Sequence, residues 1–168
     1  MDRHIFLIGM MGCGKSTIGR LLAGQLGCAL IDLDEDIVCF EGRSIPEIFA
    51  EVGDPGFRVC ETAALRRACA CAPCVVATGG GIVTREENIA LMRDTGTVVW
   101  LNRPLEAMIA DVRQDTRPNL AGDKEERMRT LFAAREPLYR RAAHIAFDNS
   151  APAPQAAQGL CTLLSGAC

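Results

Sequence analysis

An α/β domain, in which helices cover a mostly parallel sheet, is the fold class that the sequence predicts. Short apolar runs typical of buried strands alternate along the chain with longer segments of helical periodicity. The first run, at residues 5–8, leads through a glycine-rich turn into an amphipathic segment, which is the order of a strand–turn–helix unit. Neither an internal repeat nor a second apolar core is found in the 168 residues, so we expect a single domain, 1–168.

The first half of the chain contains three predicted strands and three predicted helices. The strands are short apolar runs at residues 5–8, 29–32 and 75–77. Apolar residues three and four apart over 17–26 predict the first helix. Two further helices are expected to begin at Ser44, where Glu47 can complete a capping box, and at Asp54-Pro55.

The second half of the chain continues the same alternation. Thr84 and Glu87 are expected to cap a helix, and residues 97–101 form the next apolar strand. Pro104 is tolerated in a first helical turn, so we expect a helix from there that ends near Arg113.

A loop and a charged helix follow. Residues 114–122 combine proline and glycine with a lack of periodicity, so we expect a mobile lid at about 112–123. The charged segment 123–141 predicts a helix that is interrupted near Pro137. A last strand is expected at 144–147, and a short terminal helix follows a turn-rich break.

Composition and charge exclude several classes of function. The formal net charge is -3 and the pI is about 5.4, which gives no basic footprint for nucleic acid. No apolar stretch approaches the roughly 20 residues that span a bilayer. The N-terminal apolar run is too short for a signal peptide. We therefore expect a cytoplasmic protein that binds neither nucleic acid nor membranes.

The nine cysteines are expected to be reduced thiols, because no secretion signal accompanies them. Cys69, Cys71 and Cys74 form a tight cluster, but a zinc site would need a fourth ligand from elsewhere in the chain. We interpret the cluster as the end of a helix that leads into a strand, with a zinc site as the alternative.

A phosphate-binding loop is predicted between the first strand and the first helix. Its residues, 9–16, read Gly-Met-Met-Gly-Cys-Gly-Lys-Ser and fit the pattern GxxxxGK(S/T) in the context that this pattern requires. Glycines let successive N–H groups face an anion, Lys15 can reach the β- and γ-phosphates, and the Ser16 hydroxyl can ligate Mg²⁺. A glycine turn without a ligand is the alternative. The residues expected to contact ATP are Gly12, Cys13, Gly14, Lys15, Ser16 and Thr17.

Two carboxylates, in Asp32-Leu-Asp34, end the second predicted strand. Strand alternation would place Asp32 and Asp34 on the same side of the chain, at the edge of the sheet where ligands bind. One carboxylate could lie near Mg²⁺, and the other could accept the proton of an attacking hydroxyl. The alternative is a solvated acidic turn, since Glu35 and Asp36 come next.

Further motifs follow in order along the chain: Phe57-Arg58-Val-Cys-Glu61, the triple glycine 79–81, Arg117-Pro118, and Arg135 just before Pro137. Together with the phosphate-binding loop and Asp32-Leu-Asp34, they make the chain resemble the shikimate kinase family over residues 4–147. The resemblance implies a fold like that of the nucleoside monophosphate kinases, a P-loop three-layer sandwich whose five-stranded parallel sheet has helices on both faces. It also implies transfer of the ATP γ-phosphate to the 3-hydroxyl of shikimate, giving shikimate 3-phosphate and ADP.

The resemblance also implies a role for individual residues. Asp34 would hold the acceptor hydroxyls and act as the base, and Arg58 and Arg135 would bind the shikimate carboxylate. Arg117 would lie in the closing lid, contact ATP and neutralise charge on the transferring phosphate. The backbone that contacts the substrate would be that of Gly79, Gly80 and Gly81.

The chemistry of the residue types supports these roles. A guanidinium donates two parallel charge-assisted hydrogen bonds to a carboxylate, and Glu61 at i+3 could hold the Arg58 rotamer. The alternative is an ordinary surface pair of little energetic value. Ser16 and Asp32 are the residues expected to serve Mg²⁺.

Two other functions stay open at this point. A gluconate kinase also acts on a polyhydroxylated acid, and only the FRxxE motif with the triple glycine favours shikimate. A catalytically silent binding protein would be expected to have lost some of the motif residues, and all of them are present. We expect a monomer whose small-molecule partners are ATP and shikimate.

Overall fold

Five parallel strands form one sheet in the order β2-β3-β1-β4-β5. The structure is a computed structural model that describes residues 2–115 and 121–166, and for residues 112–115 and 121–123 it describes the backbone alone. This order places the strand that precedes the phosphate-binding loop in the centre of the sheet. The strands are β1 (His4–Ile8), β2 (Leu30–Asp32), β3 (Val75–Ala77), β4 (Gly96–Asn102) and β5 (Ile145–Asp148).

Helices cover both faces of the sheet, which confirms the predicted three-layer sandwich. Helices α2, α3, α4 and the end of α6 pack on one face, and α1, α5, α7 and the earlier part of α6 pack on the other. The helices of the described residues are α1 (Lys15–Leu26), α2 (Leu33–Glu41), α3 (Ile45–Cys69), α4 (Glu86–Thr95), α5 (Leu105–Asp115), α6 (Ala121–Ala142) and α7 (Ala153–Ser165).

The central strand β1 is buried on both faces, as expected for a parallel sheet between two helical layers. Phe6 and Ile8 belong to the core under α3 and α4, whereas Ile5 and Leu7 belong to the core under α1 and α7. This packing fixes the end of β1, and therefore the loop that follows it, from both sides.

The start and the bend of α3 agree with the sequence. The carboxylate of Glu47 accepts hydrogen bonds from the Ser44 N–H (2.8 Å) and hydroxyl (2.6 Å), which confirms the capping box. Gly53 has a left-handed φ of 64°, and it kinks α3 directly before Asp54-Pro55. A second helical segment therefore begins at Asp54-Pro55, as predicted, and the kink at Gly53 joins it to the first segment of α3.

Two expectations about local structure are wrong, and one helix was not predicted. Helix α2 was not predicted, because it begins at Leu33 with no turn after β2. Thr84 does not cap α4, since its hydroxyl donates to Gly81 O (2.7 Å) and closes a short 3₁₀ turn before the helix. Helix α6 continues through Pro137, because Tyr139 and Ala142 in its last turns are held in the core.

The cysteine cluster lies where a helix end meets a strand, as interpreted from the sequence. Helix α3 ends at Cys69, and Cys74 directly precedes β3. Within the described residues, no group of three or more His, Cys, Asp or Glu side chains is arranged to hold a metal ion. In the same part of the chain, no helix is both long and apolar enough to cross a membrane. The predicted lid over 112–123 includes residues 116–120, which lie outside the described residues.

Candidate active site

The phosphate-binding loop turns at glycines that adopt conformations other residues rarely reach. Gly12 and Gly14 have φ values of 77° and 92°, on either side of Cys13. Gly9 has a φ of 144°, and a Cβ there would lie 2.9 Å from the Leu101 carbonyl oxygen. The loop therefore needs its glycines for backbone shape, and at Gly9 also for space.

Lys15 lies across this loop. Its side chain is buried, and Nζ donates hydrogen bonds to the carbonyl oxygens of Gly9 and Met10, each at 2.9 Å. These two bonds hold the ammonium group beside the loop N–H groups and the N-terminus of α1. The loop thus combines a fixed cation with backbone dipoles, which is the arrangement that binds a polyphosphate.

The acidic pair is held together by a helix cap rather than by strand alternation. Asp32 ends β2, and its Oδ1 accepts a hydrogen bond from the Asp34 N–H (3.1 Å), which caps α2. Asp34 lies in the first turn of α2, so the prediction that both residues belong to the strand is wrong. The prediction that the two carboxylates lie near each other is confirmed, because the charge of Asp32 contributes to raising the pKa of Asp34.

The other oxygen of Asp32 contacts the phosphate-binding loop. Asp32 Oδ2 accepts a hydrogen bond from the Ser16 hydroxyl at 2.6 Å. A hydroxyl and a carboxylate are hard oxygen ligands of the kind that Mg²⁺ takes when phosphates and water complete its coordination. The donor set therefore fits Mg²⁺ held jointly with a nucleotide.

Asp34 is a partly buried acid with an altered affinity for protons. Burial and the neighbouring charge of Asp32 raise its pKa, while Lys15 and Arg58 act in the opposite direction. A carboxylate with a raised pKa is a stronger base than an exposed one. This environment suits Asp34 for accepting a proton from a hydroxyl.

Arg58 is fixed by two carboxylates on its own helix. Its guanidinium donates to Asp54 Oδ1 at 2.6 Å and, through Nη1, to Glu61. Glu61 is only 1% exposed, so this pair is not an ordinary surface ion pair. Burial raises the pKa of Glu61, and the Arg58 charge beside it opposes that effect. The predicted i, i+3 pair is therefore confirmed as a buried one.

The triple glycine follows β3 and packs tightly against these charged side chains. A Cβ at Gly79 would overlap Glu61 Oε1, and a Cβ at Gly81 would overlap the guanidinium of Arg58. A side chain larger than that of glycine therefore cannot be placed at residue 79 or 81 unless Glu61 or Arg58 moves.

Gly80, in the middle of that turn, lies between Arg135 and the phosphate-binding loop. A Cβ at Gly80 would lie 3.3 Å from the Met11 backbone nitrogen and 3.6 Å from Arg135 Nη1. The structure therefore brings together Lys15, Asp34, Arg58, the glycine turn and Arg135, while Arg117 lies outside the described residues.

Three residues that contact this site were missed by sequence reasoning. Asn149 Nδ2 donates to Cys13 O at 2.6 Å, and Arg103 Nη1 donates to Gly12 O at 3.0 Å. Each directly follows a strand, β5 or β4, at the edge where ligands bind, and that position was the available signal. The third is Tyr139, the only tyrosine in the chain, whose hydroxyl donates to the Gly80 carbonyl.

A cleft of about 400 Å³ lies beside the phosphate-binding loop. Cys13, Gly14 and Thr17 of the loop and the first turn of α1 form one wall. The residues that form the other side, after β4 and β5, include Arg103, Asn149 and Pro152. The glycine turn does not line this cleft, so a nucleotide whose phosphates occupy the loop has space there for its nucleoside.

Replacing Asp34 by asparagine is expected to stabilise the folded protein. Because the pKa of Asp34 is raised on folding, its ionised form opposes folding at neutral pH. We expect Asp34→Asn to raise the free energy of unfolding in urea at pH 7.

The pH dependence of this stability difference tests whether the charge of Asp34 causes it. As the pH falls through the raised pKa of Asp34 towards the ordinary value of 3.8, the carboxyl takes up a proton and its unfavourable effect disappears. The difference between Asp34→Asn and the parent should therefore shrink in acid. Asp94→Asn, at an exposed position on α4, should change stability little. An Asp34→Asn protein less stable than the parent at pH 7 would contradict the prediction.

The family model for shikimate kinase matches residues 11–164 of the chain. The shikimate kinase of Neisseria gonorrhoeae is 42% identical over 148 residues, which are 87% of this chain and 87% of that protein. A shikimate kinase from Acinetobacter baumannii, solved in complex with shikimate, has a TM-score of 0.90 at 36% identity, and the match covers 98% of this chain and 94% of that chain.

A gluconokinase from Sinorhizobium meliloti is also similar in structure. Its TM-score is 0.56 at 17% identity, over 99% of this chain and 97% of that chain, so the likeness shows a shared fold alone. Sequence similarity to shikimate kinases, by contrast, extends over nearly the whole length with the fold and the motifs described above. The chain belongs to the shikimate kinase family.

Proposed function

We propose that the protein transfers the γ-phosphate of ATP to the 3-hydroxyl of shikimate, giving shikimate 3-phosphate and ADP. The observation that carries the proposal is the position of the Arg58–Glu61 pair, Asp34 and Arg135 around a glycine turn that contacts the phosphate-binding loop. One side of the site thus suits a polyphosphate, and the other suits a small hydroxy acid.

ATP is the phosphate donor in this proposal. Its phosphates would occupy the loop of residues 9–16, with Lys15 neutralising charge on the β- and γ-phosphates. Its nucleoside would extend into the cleft that Cys13, Arg103 and Pro152 line. This orientation directs the γ-phosphate towards the glycine turn and Asp34.

Mg²⁺ would be held by Ser16 and Asp32 together with the ATP phosphates. The hydrogen bond between these two side chains places their oxygens 2.6 Å apart, beside the start of α1. When bound, the ion would neutralise negative charge on the phosphates. In the same proposal, Arg117 of the predicted lid contacts ATP and stabilises charge on the group that is transferred.

Shikimate would be bound by its carboxylate and by its hydroxyls. Arg58 and Arg135 supply guanidinium groups for the carboxylate, because a planar fork matches its two oxygens. Asp34 would orient the attacking hydroxyl and accept its proton, and its raised pKa suits that role. The backbone of Gly79, Gly80 and Gly81 would allow the ring to approach closely.

A substrate panel tests the function. Purified protein with Mg²⁺ and ATP should release ADP rapidly with shikimate and slowly, if at all, with gluconate. Phosphorus NMR of the product should show a phosphate monoester at the 3-hydroxyl. ADP release that depends on gluconate and not on shikimate would identify a gluconate kinase. No release with either acid would indicate a catalytically silent binding protein.

Arg135→Ala should impair the acceptor side selectively. Loss of a charge paired with a ligand carboxylate costs about 2–5 kcal/mol, so the KM for shikimate should rise at least about thirtyfold. The KM for ATP should change by less than about threefold, because Arg135 lies on the acceptor side of the glycine turn. Steady-state kinetics with each substrate varied in turn measure both values.

The matched control is Arg141→Ala, which removes an exposed arginine of the same helix that pairs with Glu86. Its kinetic constants should equal those of the parent. An equal rise of the KM values for shikimate and ATP in Arg135→Ala would contradict the proposal that Arg135 binds shikimate.

We also propose that the protein acts as a monomer in the cytoplasm. The described residues proposed to bind ATP, Mg²⁺ and shikimate converge within a single chain, which is consistent with a monomeric enzyme. The use of ATP and the absence of a disulfide among the described cysteines both suit a reducing compartment. Size-exclusion chromatography with light scattering tests the monomer.

A further inference from the structure

Tyr139 is a buried side chain that the proposed chemistry does not use. It lies near the end of α6, it is fully buried, and its hydroxyl donates a 2.5 Å hydrogen bond to the Gly80 carbonyl. Its ring stacks on Trp100 of β4, with centroids 6.2 Å apart and planes 23° apart. The phenol is therefore fixed in position by the core, and it reaches the middle of the glycine turn.

The hydrogen bond sets the orientation of one peptide unit. In a trans peptide the carbonyl and the following N–H point in opposite directions. Because Tyr139 holds the Gly80 carbonyl on the α6 side, the Gly81 N–H points away from α6. Within residues 2–115 and 121–166, the N–H groups of Gly80 and Gly81 have no hydrogen-bond acceptor. These N–H groups can therefore donate hydrogen bonds to a bound shikimate molecule.

The same helix carries Arg135, one turn before Tyr139. Arg135 Nη1 lies 3.6 Å from the position that a Cβ at Gly80 would take. The side chains of Arg135 and Tyr139, both on α6, therefore converge on this glycine. Burial raises the pKa of the Tyr139 phenol above its ordinary value, and the positive charge of Arg135 only partly opposes this. The phenol thus stays protonated at neutral pH and remains a hydrogen-bond donor.

We infer that Tyr139 is a positioning residue for the acceptor, whose hydroxyl fixes the Gly80–Gly81 peptide relative to Arg135 and so sets the affinity for shikimate. The inference rests on the proposed function, since it concerns the same acceptor site. Tyr139 itself would not touch the substrate. Its effect would pass through the backbone donors of the turn and through the placement of the Arg135 guanidinium.

Tyr139→Phe tests this role, because it removes one oxygen and keeps the aromatic ring on Trp100. We expect the dissociation constant of shikimate, from calorimetry, and its KM to rise about tenfold, the effect of one lost hydrogen bond. The KM for ATP and kcat should stay within about threefold of the parent. A purely structural role would instead leave the shikimate affinity unchanged or weaken both substrates alike.

The control is Thr95→Val, which removes another hydroxyl that donates to a carbonyl, Leu91 O at 2.6 Å. Thr95 precedes β4 at the opposite edge of the sheet, so its loss should leave both KM values unchanged. Shikimate binding by Tyr139→Phe equal to that of the parent overturns the inference. An equal weakening of ATP and shikimate binding also overturns it.

A second measurement uses the unaltered fold. Because Tyr139 is the only tyrosine, biosynthetic incorporation of 3-fluorotyrosine labels this one site. Its single ¹⁹F resonance should shift when shikimate is added and shift less when ADP is added, whereas no shift with shikimate overturns the inference. The failure of the parent protein to phosphorylate shikimate in the same preparation would count against the proposed function instead, so the two failures are distinguishable.

Discussion

Lys15→Ala should abolish measurable phosphoryl transfer in a protein that still folds. Lys15 is buried, and its Nζ is fixed by the carbonyls of Gly9 and Met10 at the loop where the phosphates would bind. A preorganised cation of this kind stabilises charge that develops on the transferring group. Its removal should lower kcat at least about a thousandfold.

A coupled assay of ADP release at saturating shikimate measures this loss, and circular dichroism reports whether the fold is intact. The matched control is Arg20→Ala, which removes an exposed cation from the same helix. That variant should retain the activity of the parent. If Lys15→Ala kept more than about a tenth of the parent kcat, the phosphate-binding role of this loop would be untenable.

Gly81→Ala is expected to raise the KM for shikimate by at least about thirtyfold, with little change in the KM for ATP. The backbone of Gly81 has a φ of -96°, which alanine adopts without strain, so the effect is one of space. The new methyl group would overlap the Arg58 guanidinium. Arg58 would have to leave Asp54 or Glu61, and its fork would no longer face a bound carboxylate.

Gly24→Ala is the matched control, because a Cβ at this exposed position of α1 meets nothing within 4 Å. It should leave the kinetics unchanged and stabilise the protein by up to about 1 kcal/mol. A double-mutant cycle locates the cause: in an Arg58→Ala background, Gly81→Ala should have almost no further effect on the KM for shikimate. Additive effects would show that Gly81 acts by another route.

Local motifs are the part of the site that sequence reasoning predicted well. The phosphate-binding loop is contiguous, and the Arg58–Glu61 pair spans one helical turn, so both depend only on nearby residues. The juxtaposition of Asp32 and Asp34 was predicted for the wrong reason. A helix that begins directly after β2 leaves no turn signal in the sequence, and the same carboxylate spacing suits either a strand or a helix cap.

Long-range contacts are the part that could not be predicted. The Tyr139 hydroxyl bonds to a carbonyl 59 positions away, and the Asn149 amide bonds to one 136 positions away. Only the sheet order, with β1 between β3 and β4, brings these partners together. Sequence patterns identify the strands, but they contain little information about which strand end faces which side chain.

The packing of the glycine turn against α3 limits how this enzyme could acquire a different acceptor. Gly79 lies against Glu61, and Gly81 lies against Arg58, while those two side chains hold each other. An enlargement at Gly79 or Gly81 therefore displaces a side chain on which the other member of the pair depends. A library of point mutants at Gly79 and Gly81 should yield losses of activity only, and altered selectivity should emerge only from libraries that vary these positions and α3 simultaneously.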